Sequence, residues 1–388
     1  MIKQGNVMFH IVLNANENYI KYAAVLMTSI IQKTDLNKSM SEFCNFDTDE
    51  GYVFHILSDH ISESMKVRIS NLEKQLNDIY PCKIVLHILN DDEFKGMLKW
   101  RGNYLAYYRI KMASVLPQNL KICLYLDCDM LCFGDLRELL SVDINNYQAA
   151  VCLDGNNHKK NKKVFFSLKG REKYKFSNIE KYFNSGFILV NLDRWRRDNI
   201  ENKSIDFLKK FKTLYPDQDA LNFALNDTLL LPNRWNFSLG YFVAFLKNSQ
   251  EILFLNQTKY PHLNYTKTEF ENEVKNIKIA HFILDPFKPW DAFQYSIVND
   301  DLQLIEYPFY KHYWSVAKNT PEFYLDFLVQ KESINEHKAE NLINELGKAV
   351  VKEMRRYTSR ASYRRLRKSI IFLYIINVIL IIYVVLNH

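Results

Sequence analysis

Glycine and proline are scarce, 10 and 9 in 388 residues, too few for a collagenous chain or a low-complexity linker. The six cysteines, at 44, 82, 123, 128, 132 and 152, form no CxxC pair, which excludes the usual zinc-ribbon spacing. Four of them sit in or beside apolar runs such as KICLYLDCDMLCF and AAVCLD and read as buried, reduced thiols. The start, MIKQGNVMFHIVLNANENY, has too short an apolar run and no small-residue cleavage site. No signal peptide is expected there, and the reducing cytoplasm is the expected compartment. Charge of one sign is also missing from most of the chain. Residues 352–368 hold eight Lys and Arg against Glu353, and this stretch accounts for the whole formal net charge of +7. A general basic face for nucleic acid is thereby excluded.

What is present is a large apolar fraction, 48%, with 24% charged residues. That excludes both a disordered polymer and a wholly membrane-embedded protein. Apolar runs read as strands at Met8–Leu13, Tyr52–Ser58, Lys83–Leu89, Lys121–Leu126, Tyr147–Leu153 and Gly186–Leu192. Between them lie segments of helical period: NYIKYAAVLMTSIIQK, then Ser62–Tyr80 stopped by Pro81, then Leu105–Val115 ended by Pro117. This alternation predicts an α/β fold with a mostly parallel, Rossmann-like central sheet covered by helices on both faces. Ligands of such sheets sit at the carboxyl ends of strands. Asn156–Ser177, polar and rich in lysine, reads as a long exposed loop, solvated or serving as a substrate lid. Asp301–Val351 looks helical.

Asp127-x-Asp129 closes an apolar strand. Two carboxylates one residue apart where the chain leaves a sheet can face one hard divalent cation, which would bridge to a diphosphate. Taken alone they serve equally well as turn residues capping the DLREL segment. LNANENY puts Asn14, Asn16, Glu17 and Asn18 at the mouth of the first strand, for a base and ribose or merely for a turn and helix cap. Arg109 can pair with Asp127 or a phosphate, or simply lie at the surface. Asn184-Ser185-Gly186 lets backbone approach a ligand. Asp217-Gln218-Asp219 opens a helix after Pro216, where acidic residues are also ordinary. His281 ends the run IKIAHF and is more often structural at such a position, and Lys288 is a flexible cation suited to phosphate.

Taken in order, IVLNANENY, YYRIKM, LYLDCDML, VCLDG, YFNSGFILVNLDRWR, DQDALN and AHF…KPW span roughly residues 8–290. The set resembles glycosyltransferase family 8, the retaining group that includes bacterial lipopolysaccharide galactosyl- and glucosyltransferases and glycogenin. The resemblance implies a GT-A fold, a UDP-sugar donor and Mn²⁺, with Mg²⁺ as a substitute. It puts the metal on Asp127, Asp129 and His281. It puts the uridine on Asn14, Ala15, Asn16, Asn18 and Tyr19. The sugar falls to Arg109, Asp154, Asn184, Asp217 and Gln218, with Gln218, Asp217 and Asp154 closest to the chemistry, and a phosphate falls to Lys288. Asn16 stands where the family often has an acid, and HFILDPFK lacks the family's usual glycine.

The implied activity is transfer of galactose or glucose to a saccharide or lipid-linked acceptor, with lipopolysaccharide or lipooligosaccharide core as the leading candidate. Two rivals are a membrane-tethered sugar-nucleotide-binding protein without turnover and a HAD-type phosphohydrolase. The latter is disfavoured because its DxDx[TV] motif would place Thr or Val where Leu131 stands. The expected organisation is a catalytic domain at 1–295, a helical extension at 296–351, and a basic stretch plus anchor at 352–388. Ser369–His388 is apolar all round and, as a helix, reaches about 30 Å, the thickness of a bilayer core. The basic residues before it predict C-terminal anchoring at the cytoplasmic face of a bacterial inner membrane, with contact to anionic lipid.

Overall fold

A computed structural model of the chain describes residues 8–44, 49–155, 164–176, 179–239, 264, 266–283, 288–291, 309–356, 367–368 and 370–378. The chain divides into two compact units. One comprises residues 1–245, 260–283 and 309–327, the other 246–259, 284–308 and 328–388.

The first unit is built on a seven-stranded sheet. Its strands are β1 (Phe9–Asn14), β2 (Tyr52–Ser58), β3 (Cys82–Ile88), β4 (Ile122–Leu126), β6 (Ala149–Leu153), β9 (Phe183–Asn191) and β11 (Thr228–Leu230), in the order β11-β6-β9-β4-β1-β2-β3. The β4–β1–β2–β3 side is parallel, as is β11–β6. β9 alone runs antiparallel to both of its neighbours. This reversal matters for the site, because the first residues of β9 lie beside the last residues of β4. Leu126 is opposite Phe187, and the Asp127 amide donates to the Gly186 carbonyl at 2.9 Å. A mostly parallel α/β sheet is therefore what forms, and Asn184-Ser185-Gly186 reaches the carboxyl edge by starting a strand rather than ending one.

Helix α1 (Ile20–Lys33) is buried at eleven of its first twelve positions, all but Lys21, which explains its nearly unbroken apolar sequence. Helix α2 (Glu63–Asn77) buries Ile69, Leu72 and Leu76 and is capped by Ser62, whose hydroxyl accepts from the Met65 amide. The predicted helix at 105–115 is different: Leu105–Lys111 is 3₁₀, followed by one α turn, α3 (Met112–Val115). Tyr107, Tyr108, Arg109 and Ile110 are all buried, so tertiary packing on every side overrides helical amphipathicity there.

Asn156–Ser177, read from sequence as a loop, instead carries β7 (Val164–Ser167) and β8 (Lys173–Lys175), with residues 156–163 and Ser177 outside the described ones. With β10 (Phe211–Lys212) they make an antiparallel sheet, order β10-β7-β8. A further sheet joins β12 (Phe237–Ser238), β13 (Ile279–His281) and β5 (Met130–Cys132), with β13 between the other two. C-terminally, Tyr310–Ala317 and Tyr324–Arg356 are helical; residues 301–308 of the predicted helical region lie outside the described ones. Among the described residues no helix is long and apolar enough to cross a membrane. Much of the predicted span Ser369–His388, namely Ser369 and residues 379–388, is outside them.

Across β1, β2 and β3 runs a ladder of three imidazoles. His10 Nδ1 lies 2.7 Å from His55 Nε2, and His55 Nδ1 lies 2.8 Å from His87 Nε2. Each neutral ring offers one donor and one acceptor, so the neutral ladder satisfies both contacts, and burial is what opposes a charge on it. Burial pushes His10 down to about 4 and His55 down to about 3, where a charge on His10 or His87 adds to the effect; burial lowers His87 as well. The unfolded chain therefore takes up protons that the folded chain refuses once pH falls below about 6.5. Stability should be flat above that pH and drop on acidification, by on the order of 1.4 kcal/mol per pH unit for each of His10 and His55. Urea midpoints at pH 7.5 and pH 5 measure this. A His10→Gln/His55→Phe variant should flatten the profile, and an equally steep profile in that variant would remove the ladder as its cause.

Candidate active site

Asp127 and Asp129 leave β4 together, and a long-range pairing adds a third group. β13 runs antiparallel to β5, placing His281 opposite Met130, and the Phe282 amide donates to the Asp129 carbonyl at 2.9 Å. One ligand atom each of Asp127, Asp129 and His281 then lie within 4.8 Å of one another. His281 Nε2 is 3.1 Å from Asp129 Oδ1 and 3.8 Å from Asp127 Oδ2.

Backbone donors fix the orientation of the amides around this cluster. The Gly186 amide donates to Asn184 Oδ1 at 3.0 Å, so that atom is an oxygen, and Asn236 Nδ2 donates to the same oxygen at 2.9 Å. Asn236 Oδ1 therefore faces His281 Nδ1, at 2.8 Å, and accepts its proton. His281 Nε2 is then the ring nitrogen turned to the carboxylate oxygens, and in the neutral ring its lone pair would be open to a cation. The glycine is part of the fit: a Cβ on Gly186 would stand 2.5 Å from His281 Cε1 and 2.7 Å from Asp127 Oδ2. Two carboxylates and an imidazole with this support suit a divalent transition metal.

Arg109 is buried behind the cluster. Its Nη2 donates to Asp127 Oδ1 at 2.8 Å, its Nη1 to the Ser185 carbonyl at 2.8 Å, and its Nε is 3.2 Å from Asp217 Oδ2. Burial opposes the charge, but Asp127 and Asp217 outweigh it, and the guanidinium stays protonated. Tyr125 donates to Asp127 Oδ1 at 2.8 Å, and burial holds its phenol far above the usual range. Burial also raises Asp217, with Arg109 and the Ser185 hydroxyl (2.9 Å) working against that rise.

Gln218 sits at the start of the helix Pro216–Ala224. Its Oε1 accepts from the Ser185 amide at 3.1 Å and from Asn184 Nδ2 at 3.0 Å, while its Nε2 donates to Asp154 Oδ2 at 2.8 Å and to the Tyr182 hydroxyl at 3.3 Å. Asp219, its neighbour, faces inward and accepts from the Tyr182 hydroxyl and from the amides of Leu214 and Tyr215. Asn222 clamps Phe183 by accepting from its amide and donating to its carbonyl, each at 2.9 Å. Asp154, Asn184, Asp217 and Gln218, scattered over the sequence, are thus one hydrogen-bonded group, and it is contiguous with the Asp127–Asp129–His281 cluster through Arg109 and Asn184.

Asn14 ends β1. Its Nδ2 donates to the Leu105 carbonyl at 3.0 Å, and its Oδ1 is buried without a partner, an acceptor available to a ligand. Ala15 is buried and its amide donates to the Leu57 carbonyl; Asn16 accepts from the Tyr19 amide as a helix cap; Asn18 is exposed. Tyr19 packs edge-on against Tyr22. Glu17 turns away to accept from the Ser62 amide and hydroxyl, serving α2 rather than the mouth of β1. Lys288 belongs to the second unit, where it is buried and its amide donates to Asp291 Oδ2 at 3.3 Å.

Sequence reasoning misses Tyr125, Tyr182 and Asn236, and reads Ser185 only as a small residue of the NSG motif rather than as a partner of Arg109 and Asp217. Tyr125, two residues before Asp127, is within reach of a sequence reading. Asn236, an isolated residue in RWNF, carried no signal.

The sequence profile of Glycosyl transferase family 8 matches residues 10–294. The chain is 27% identical over 241 residues to a lipopolysaccharide 1,2-glucosyltransferase of Escherichia coli, covering 59% of this chain and 62% of that protein. It is 29% identical over 203 residues to a lipopolysaccharide 1,3-galactosyltransferase of Salmonella typhimurium, covering 50% and 57%. The match thus spans about three fifths of the length of these curated relatives. Among solved structures, the galactosyltransferase LgtC in complex with donor and acceptor sugar analogues superposes with a TM-score of 0.53 at 19% identity, over 80% of this chain and 96% of that one. At that identity the likeness establishes a shared GT-A fold.

Proposed function

Because the chain belongs to glycosyltransferase family 8, we propose that it is a retaining hexosyltransferase that moves galactose or glucose from a UDP-sugar to a saccharide acceptor. The observation that carries the reading is the convergence of Asp127, Asp129 and His281 beside the Gln218 network. Mn²⁺, or Mg²⁺ in its place, would be held by those three side chains, and when bound it would supply neutralisation of the diphosphate leaving group. Asn14, Ala15, Asn16, Asn18 and Tyr19 would receive the uridine, and Lys288 a phosphate. Asp154, Asp217 and Asn184 would hold sugar hydroxyls, with Arg109 keeping Asp127 and Asp217 in place.

Gln218 bears on stereochemistry. Its amide oxygen already accepts two hydrogen bonds, and an amide so engaged is a poor nucleophile. Front-face attack, with the leaving phosphate taking the acceptor proton, follows as the route to retention. The test is release of UDP from UDP-galactose or UDP-glucose by the Mn²⁺-loaded full chain, with NMR of the product. An α-linked product from the α-configured donor is expected; a β-linked one overturns the mechanism, and nucleotide-sugar binding without turnover supports the tethered-binder alternative.

Relatives named as lipopolysaccharide glucosyl- and galactosyltransferases support lipopolysaccharide or lipooligosaccharide core as the proposed acceptor, and the basic stretch before the apolar tail supports the cytoplasmic face of the inner membrane as the proposed location. Sequence pattern carries the tail anchor. The described part of the tail, residues 370–378, is helical with Ile371, Phe372 and Leu373 exposed. Full-length protein should pellet with membranes through a high-salt wash and be released by detergent. Recovery in the high-speed supernatant without detergent would remove the anchor.

A further inference from the structure

The sheet β10-β7-β8 has two unlike faces. Its inner face puts Phe165 and Phe211 into the core, with Tyr174 packed against Phe207 and Phe223. Strand pairing puts Val164 opposite Lys175, and Phe166 opposite both Lys173 and Lys212, so these side chains share the outer face. Leu168 extends the row, its amide donating to the Lys210 carbonyl. Phe166 is 55% exposed and Leu168 54%, and Leu214, just beyond β10, is 63% exposed. The Lys173 ammonium lies 5.3 Å from the Phe166 ring centroid, and Lys210 pairs with Glu172 at 2.6 Å.

Lysines on an edge strand ordinarily guard against stray strand pairing, and that accounts for Lys173 and Lys175 on β8. It does not account for Val164 and Phe166, which stand exposed on the central strand. Apolar side chains ringed by flexible cations match one surface chemistry well: the lysines meet phosphates while the phenyl and leucyl groups enter the acyl boundary. A second copy of the same face would bring like charges together and is disfavoured.

We propose that the outer face of this small sheet docks on a bilayer surface that contains anionic lipid. In the chain, residues of the candidate active site flank the strands that build it, since Asp154 precedes β7, Asn184 follows β8 and Asp217 follows β10. Docking would therefore hold the sugar end of the site near a lipid-borne acceptor. That last consequence rests on the transferase reading; the docking itself does not.

The test uses the full chain carrying Phe166→Trp and vesicles with brominated acyl chains, with or without phosphatidylglycerol. The introduced indole is a local reporter, read as the difference from the wild-type chain on the same vesicles, so attachment through the tail leaves it unmoved. Expected are a blue shift and added quenching on phosphatidylglycerol vesicles only. Adding Lys173→Glu, Lys175→Glu and Lys212→Glu should reduce the quenched fraction at least about tenfold. An indole that stays unquenched, or quenching indifferent to the charge reversal, overturns the proposal. So does a response to soluble polyglutamate with none to vesicles, which would make the face a site for an acidic protein. None of these readouts requires sugar transfer.

Discussion

Asp129→Asn is expected to lower turnover at least about a hundredfold, the scale of losing one key electrostatic group at a reacting centre. The substitution keeps the shape of the site, because the Asp129 backbone is held by the Phe282 amide. It removes one of two carboxylate charges from the three-ligand cluster. It also does something less obvious. At 3.1 Å from His281 Nε2, an asparagine amide nitrogen can donate to the imidazole lone pair and tie up a second ligand. Metal affinity should therefore fall more than the loss of a single oxygen would suggest. Steady-state kinetics across a Mn²⁺ titration, with a thermal melt to show the fold is intact, provide the measurement. Turnover with unchanged Mn²⁺ dependence would remove Asp129 from the site.

Gly186→Ala is expected to be nearly as damaging although the side chain gained is one methyl. The new Cβ would lie 2.5 Å from His281 Cε1, 2.7 Å from Asp127 Oδ2 and 2.9 Å from Asn184 Oδ1, too close for any of them to stay. None can yield cheaply: Asp127 is held by Arg109 and Tyr125, His281 by Asn236, and Asn184 by the Gly186 amide itself. Displacing supported ligands costs about 10–100-fold in metal affinity, and overpacking costs about 1–3 kcal/mol of stability. Electron paramagnetic resonance of bound Mn²⁺ reads the affinity without any assay of transfer. Gly134→Ala is the control, since its Cβ would meet the side chain of Lys278, 2.4 Å away at Cδ, which can swing aside. Wild-type Mn²⁺ binding by Gly186→Ala would mean that the cradle relaxes and the glycine is not needed.

The strands were the most legible part of the fold. β2 matches the apolar run Tyr52–Ser58, and β4 and β1 fall within a residue of theirs, because strands covered on both faces must be apolar throughout. The same physics hid the direction of β9, since an apolar run reads alike in either orientation. It also hid β7 and β8. Their outward lysines and the Gly170 turn between them imitate a solvated loop, and their backbone groups find partners only in each other and, for β7, in the distant β10.

By itself the sequence determined an α/β chain of family 8, through ordered motifs that each stay within a few residues and so survive as local pattern. The DxD pair belongs to this class, because two carboxylates leaving one strand share a place whatever the rest of the chain does. Which distant groups join them is a different kind of fact. His281 meets Asp129 across 152 positions through the β13–β5 ladder, and Asn236, invisible in the sequence, sets the imidazole tautomer. Gln218 is turned by the Ser185 amide, and Arg109 is buried between two carboxylates from separate elements. Tertiary structure decided these, because each depends on closing a long loop against entropy, and that closure is favourable only when the whole sheet has formed.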